Sequence, residues 1–490
     1  MSSTRYRIPI IVAVGILIAI FAATAVYTFY SANEGNTTSQ QSTSSLITNS
    51  TSPTTSTVAN SARSFTTIGN NGYSSSWLTY HENNQRDGYD ANEPSISNSP
   101  PSMAWQSAIL DGAIYAEPLV WGGMVYAVTE NDSVYALNMT TGQVGWRQNL
   151  GTPVPGNSLP CGNINPSGIT GTPSIDPDLK LIFVVAYLYP PQHHVLFALN
   201  LNTGSVTFQR NVDPPGVEAK VEQERGALGI ANGMVYIPYG GLAGDCAQYH
   251  GFVLGVPENN SSSTLSYQDP TSREGGIWAP SGLSIDPSGD IFVATGNSES
   301  SSNFDFGNAV IHLSSTLQEK DYFAPTDWIS LNQGDTDLGS LAPTLLGNNT
   351  IFQIGKQGVG FLLKEDHLGG IGGQEFNSTV CGSFGGTAYV SPVIYVPCGG
   401  GLVALKVDFS NTSFSEFWKG PEFSASPPIV AGGAVWTIDT GSAAIYALSL
   451  YNGTQIYSHS LGSVPRFATP SAGDGYVFAV GGDAIYAFAI

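Results

Sequence analysis

The stretch GAIYAEPLVWGGMVYAVTENDSVYALNMTTGQVGW, residues 112–146, decides how the whole chain reads. A turn containing Pro118 leads into a short apolar run, and Gly122-Gly123 reverses it into a β-branched and aromatic run. A polar turn then opens a third run that ends at Thr141-Gly142, ahead of Trp146. Runs of about five residues with polar punctuation mark short strands. SASPPIVAGGAVWTIDTGSAAIYALSLYNGTQIYS, residues 424–458, repeats the unit. Units open near Ile114, Ile169, Gly226, Trp278, Leu341, Gly385, Pro427 and Phe467, which makes eight. After Tyr30 no convincing helical period appears, so the fold class is all-β.

The two ends of the repeated region complement each other. The last unit stops at AIYAFAI without a fourth strand, whereas MAWQSAI (103–109) has no sheet of its own. Pairing them closes a ring and removes the edges that an open array would expose. The expected architecture is an eight-bladed β-propeller of four-stranded antiparallel blades, spanning 103–490. Ala136 to Gly142 precedes Trp146, Ala198 to Gly204 precedes Phe208, and Ala447 to Gly453 precedes Tyr457. Glycine supplies the positive φ of each hairpin turn, and the aromatic on the outer strand is expected to pack between blades.

What precedes the repeats reads as a membrane anchor. Residues 1–7 form a short cytoplasmic end carrying Arg5 and Arg7, and 8–30 form a transmembrane anchor whose apolar run from Ile8 to Val26 holds no charge. Such a run nearly crosses a ~30 Å hydrocarbon core, and Tyr27, Phe29 and Tyr30 supply the aromatic belt. Ala23-Thr24-Ala25 also fits a signal-peptide cleavage site. Either reading exports the remainder to the extracytoplasmic side, as a protein of the cell surface. Residues 31–63 are a Ser/Thr/Asn-rich stalk too poor in apolar groups to fold, and 64–102 lead into the propeller. Glycosylation sequons stand at Asn36, Asn49, Asn131, Asn138, Asn259, Asn260, Asn348, Asn377, Asn411 and Asn452.

Composition removes some functions. With 37 acids against 16 bases and a net charge of -21, the chain lacks the clustered cations that nucleic acid requires. A membrane anchor and a surface protein or glycan remain as partners. The 4 cysteines permit two disulfides in three connectivities. Cys381 and Cys398 flank two strand-like runs and are expected to pair, leaving Cys161 with Cys246. No Cys-x-x-Cys spacing suggests zinc.

The repeats resemble the tryptophan-docking repeats of pyrroloquinoline quinone (PQQ)-repeat propellers, the quinoprotein alcohol dehydrogenase-like superfamily, over about residues 77–490. WLTYHENNQRDGYD (77–90) is similar to that family's lead-in. GGIWAPSGLSIDPSGDIFVATGN (275–297) resembles the stretch beneath the quinone, implying Trp278 as the floor and Asn297 as a calcium ligand. GDTDLGSLAPTLL (334–346) resembles the segment with the catalytic aspartate. That implies Asp335 or Asp337 as base and metal ligand. GKQGVGFLL (355–363) implies Lys356 as the cation at the quinone carbonyls, a catalytic and cofactor-binding position.

The resemblance has gaps. LAGDCAQYHG (242–251) is similar to the stretch with the family's glutamate calcium ligand, yet Cys246 stands in its place. No two cysteines adjoin, so the family's vicinal disulfide is missing, and no haem-attachment motif is present. Each implied residue also has a plainer role, in blade packing, a turn or a loop cap. Two functions follow. One is a binding or scaffold protein of the cell surface. The other is an enzyme, a PQQ- and Ca-dependent dehydrogenase oxidising an alcohol or sugar.

Overall fold

The computed structural model describes residues 75–93, 96, 100–261 and 263–490. The expected cytoplasmic end, anchor and stalk, with Asn36 and Asn49, lie outside these residues. Among the described residues no helix is long and apolar enough to cross a membrane.

Eight sheets form in sequence order. Blade 1 comprises Leu119–Trp121, Met124–Thr129, Ser133–Asn138 and Val144–Asn149. Blade 2 comprises Ser174–Asp176, Leu181–Leu188, His193–Asn200 and Val206–Asn211. Blades 3, 4, 5, 6 and 7 open with Gly229–Ala231, Ser284–Ile285, Thr344–Gly347, Ala388–Val390 and Ile429–Ala431. Blade 8 joins Ser471–Gly473, Tyr476–Gly481 and Ala484–Ala489 to Ser102–Gln106, which pairs antiparallel with Ala484–Ala489. The early strand therefore closes the ring, as the sequence implies. Blades 3 and 4 each carry one further short strand, Glu222–Gln223 and Gly370–Ile371.

Burial follows position within the blade. The middle strands, such as Met124–Thr129 and Ser133–Asn138, are almost wholly buried because neighbouring blades cover both faces. The outer strands Val144–Asn149, Val206–Asn211 and Gln455–Ser460 alternate exposed with half-buried residues.

Neighbouring blades are fastened by tryptophan. Trp105, Trp146 and Trp418, on outer strands of blades 8, 1 and 6, each donate an indole N–H over 2.9 Å to a turn carbonyl of the next blade. The acceptors are Met139, Leu201 and Leu450. Each turn carries a glycine three residues on, at φ near 70°, and a Cβ on Gly142 or Gly204 would lie 2.4 Å from the facing indole. Both the backbone and the indole thus exclude a side chain there. Tyr457, on the outer strand of blade 7, packs against Phe488 of blade 8.

The lead-in does more than enter the ring. It hydrogen-bonds the first strand or first turn of every blade in order. Ser75 meets Asp474 of blade 8, and Trp77 exchanges two backbone bonds with Val120 of blade 1. Leu78 O then accepts from Ile175 of blade 2, and Thr79 Oγ1 donates to Leu228 O beside blade 3. Asn84 O, Gln85 O, Asp87 O and Gly88 O accept from Ile285, Leu345, Tyr389 and Val430 of blades 4 to 7. Glu93 accepts from Gly475, back in blade 8. A segment bonded at the inner edge of all eight blades must lie across one end of the central channel.

Arg86 holds this plug together. Buried at 1% exposure, it donates to Leu283 O, Thr79 Oγ1, Tyr80 O and Leu228 O at 2.7–2.9 Å. Glu117 accepts from the Trp77 indole and the His81 backbone at 3.0 and 2.8 Å.

One local expectation needs amending. Trp328–Gln333, in the connection between blades 4 and 5, forms a short α-helix. Its six residues are too few to show a helical period, and Trp328 and Leu331 are buried by tertiary contact.

Candidate axial site

The inner hairpins place their first turns toward the plug, so the loops after the second strands gather at the opposite end of the axis. Asn297 follows Ile291–Ala294, and Lys356 follows Thr350–Gln353. Trp278 lies in the connection entering blade 4, and Asp335 and Asp337 lie in the one entering blade 5. The structure brings all five together.

Asp337 is the hub. At 4% exposure, its Oδ1 accepts from the Asn297 backbone N–H at 2.7 Å, and its Oδ2 lies 2.7 Å from Lys356 Nζ. Lys356 also pairs with Asp335 at 2.9 Å, and its ammonium stands 5.7 Å from the Trp278 ring. Burial opposes the charge on Lys356, but Asp337 and Asp335 outweigh it and hold the proton more tightly than usual. The aspartates differ in setting: the Asp335 side chain is 71% exposed, whereas that of Asp337 is enclosed.

The short helix positions this loop. Asn332 accepts from Ser298 N–H and from the Asn308 amide, at 3.1 and 2.8 Å. Asn308 in turn accepts from Leu338 N–H at 2.7 Å. The backbone around Asn297 and Asp337 is thereby tied into one network.

Sequence reasoning missed Glu274. Its Oε2 accepts from the Asn297 side-chain amide at 3.1 Å. Burial, with Asp245, Asp337 and Glu299 nearby, pushes its carboxyl up to about 7 against the pull of Arg273. Glu274 immediately precedes the Gly275–Asn297 stretch singled out in the sequence, and no periodicity distinguishes it from a loop glutamate.

Both disulfides pair as expected and brace loops beside the site. Cys161–Cys246 ties the connection between blades 1 and 2 to the 242–251 loop, and Cys381–Cys398 fastens the loop that packs on the Lys356–Gly358 turn. Cys246 is thus committed to sulfur. Asp245 lies in the same loop, but its side chain accepts from Tyr249 OH at 2.7 Å.

The donor chemistry of Glu274, Asn297 and Asp337 fits a hard cation, since calcium takes carboxylate and amide oxygens. In the structure Asn297 presents its N–H₂ to Glu274, and a half-turn of that amide would present its oxygen instead. Among the described residues no three His, Cys, Asp or Glu are grouped to hold a metal ion, so such a site depends on the asparagine. Trp278 is only half-buried, which leaves ring surface for a planar group.

A larger cavity of about 540 Å³ lies away from the axis, on blades 4 and 5. Two of its lining side chains, His312 and Lys320, both contact Asp290. It holds none of the five convergent residues.

The fold places the chain among the eight-bladed propellers, with a cluster of polar and aromatic side chains gathered at one end of the axis. Residues 96–240 match the PQQ_2 repeat model, described as outer membrane protein assembly factor BamB. Among solved structures, quinohemoprotein alcohol dehydrogenase from Comamonas testosteroni is similar, with TM-score 0.65 and 13% identity over 84% of this chain and 80% of that one. A europium-containing methanol dehydrogenase is similar with TM-score 0.63 and 15% identity, over 85% and 98% of the two chains. BamB from Moraxella catarrhalis gives TM-score 0.56 and 12% identity, over 80% and 100%. No curated protein sequence matches. The chain has the eight-bladed propeller fold of these structures, and its match to the repeat model covers residues 96–240.

Proposed function

We propose that this protein is a membrane-anchored binding or scaffold protein of the extracytoplasmic surface, whose axial site takes the ligand. The observation that carries the reading is the state of the convergent site. Glu274, Trp278, Asn297, Asp337 and Lys356 meet near the axis, yet Asp337 and Asn297 are already engaged by protein partners. The ensemble is built to receive a molecule at Trp278 and Lys356 without needing a metal to hold its shape. Two disulfides suit an oxidising compartment. Asn259, Asn348, Asn377, Asn411 and Asn452 are exposed and accessible to glycosylation, whereas Asn131, Asn138 and Asn260 are half-buried. A thermal-shift screen of glycans and small anions tests the reading. Some ligand should stabilise the wild type but not Trp278→Ala or Lys356→Gln, and a screen in which no ligand depends on these residues defeats it.

Glu274 beside Asn297 favours a second reading, a PQQ- and Ca-dependent dehydrogenase. Glu274, Asn297 and Asp337 would hold the metal, and Trp278 would be the floor under the quinone. When bound, quinone and metal together supply the electron-accepting chemistry. Asp335 or Asp337 would take the alcohol proton, and Lys356 would offset negative charge on the facing oxygen. Alcohol-dependent dye reduction after loading with PQQ and calcium would establish this reading over the first.

A further inference from the structure

The cavity of about 540 Å³ on blades 4 and 5 is built by a departure from the repeat. The turn between the third and fourth strands takes five residues in blade 1, 139–143, and five in blade 2, 201–205, but eleven in blade 5, 365–375. The longer segment crosses to the neighbouring blade. Its strand Gly370–Ile371 pairs parallel with Glu319–Ala324 of blade 4, and Leu368 N–H donates to Asp321 Oδ2 at 2.7 Å. Gly369 and Gly370, at φ of 80° and 72°, let the chain turn there. The cavity lies between this segment and the first turns of blades 4 and 5, which carry Asp286 and Asn349. It therefore sits toward the plug end, away from Trp278. Insertions into single repeats map to loops that often form the binding face of such proteins.

The lining decides what the cavity can hold. All nine of its residues are charged or polar, which disfavours the apolar ligands that most cavities of this size take. Its own cations are already matched. Lys320 and His312 both contact Asp290, and His367 Nδ1 lies 3.2 Å from Asp321 Oδ2. Asp286, Glu365 and Asp366 line the same space and form no ion pair among the described residues. Burial, and then Asp286 and Asp366, push the Glu365 carboxyl up, so the three are near enough to repel one another. A single metal ion needs its carboxylates gathered, yet no three His, Cys, Asp or Glu among the described residues are grouped to hold one. The negative charge is instead spread along the cavity, and a ligand that matches it must spread its positive charge likewise.

We propose that this cavity binds a linear polyamine, whose separated ammonium groups meet Asp286, Glu365 and Asp366. An ammonium offers donors only and an ionised carboxylate acceptors only, so each contact is a charge-assisted hydrogen bond. The volume falls within the range of about 300–1,000 Å³ of small-molecule sites. The site is separate from the axial cluster and does not depend on what binds there.

The test is calorimetric titration of the full-length protein in detergent at low ionic strength, where charges are least screened. The probes are spermidine, putrescine, calcium and trilysine. Spermidine should bind at one site per chain, and at least tenfold more tightly than the other three. Glu365→Gln and Asp286→Asn should each weaken spermidine at least tenfold. Glu416→Gln removes an exposed carboxylate of blade 6 and should weaken it less than twofold. Lys320→Gln takes away the competing ammonium and should tighten it. Asp286 also accepts from Ser288 N–H and Asp290 N–H in its own turn, so Glu365→Gln is the deciding variant. Equal weakening by Glu416→Gln and Glu365→Gln would mean that the net charge of the whole chain attracts the amine, and overturns the proposal. Absence of saturable spermidine binding overturns it too. So does any other probe binding as tightly as spermidine: calcium would make the cavity a metal site, and trilysine a pocket for a partner's basic segment. Trp278→Ala should bind spermidine as the wild type does, which keeps this result distinct from the axial-ligand screen.

Discussion

Arg86 directs its donors at carbonyl and hydroxyl oxygens of the plug and of blades 3 and 4, without touching a carboxylate. Its loss would leave several buried acceptors unpaired, at about 1–3 kcal/mol each. Arg86→Ala should therefore destabilise by more than about 3 kcal/mol in urea unfolding. Arg86→Lys should recover only part, because one ammonium cannot reproduce the planar fork. A cost below about 1 kcal/mol for Arg86→Ala would show that the plug is held elsewhere. At this scale the sequence was informative where a motif surrounds the residue, as for Trp278, Asn297 and Lys356. It was silent on Glu274, because only folding sets the connection entering blade 4 beside the loop that carries Asn297.

Between elements, the docking tryptophans set the blade-to-blade spacing. Trp146→Phe keeps the aromatic bulk but loses the bond to Leu201 O, and should cost about 1 kcal/mol. Trp146→Ala should cost about 3–5 kcal/mol through the cavity it leaves. Gly204→Ala introduces a Cβ 2.4 Å from the Trp146 ring at φ of 70°, so it should destabilise by at least about 1 kcal/mol in the same assay. A stabilising Gly204→Ala would contradict the close approach. These turns were legible because the Thr-Gly step followed by an aromatic recurs at fixed spacing. The short helix Trp328–Gln333 was not, since it exists only against the loops that bury it.

Over the whole molecule, closure and titration dominate. Removing residues 1–106 deletes both the plug and the strand completing blade 8, and exposes the edge of Ala484–Ala489. Such a truncation should aggregate, whereas a soluble, cooperatively melting product would show that closure is dispensable. The acid-rich composition gains a structural meaning from burial. Burial pushes Asp132 and Glu222 up to about 9 and Glu258 up to about 8. A carboxyl raised in the folded state stabilises fully below its unfolded pKa of about 4, and this is lost as pH rises through the folded value. At Asp290 burial is outweighed by Lys320 and His312, so that carboxyl sits below its usual range and withdraws stability only in stronger acid. The melting temperature should therefore be higher at pH 5 than at pH 8.5, with the loss falling between about pH 4 and 9. A protein melting higher at pH 8.5 would show that these groups do not control its stability.

By itself the sequence determined the all-β class, the eight repeats and ring closure by the early strand, and it favoured the two disulfide pairings that the structure shows. Each rests on local pattern: strand-length apolar runs, turn glycines, a missing fourth strand and cysteines flanking a hairpin. Only the tertiary structure decided that the lead-in plugs the channel and that Glu274 joins the axial site. Those depend on where loops of different blades meet around the axis. The distance between such loops is set by ring geometry, which no short stretch of sequence encodes.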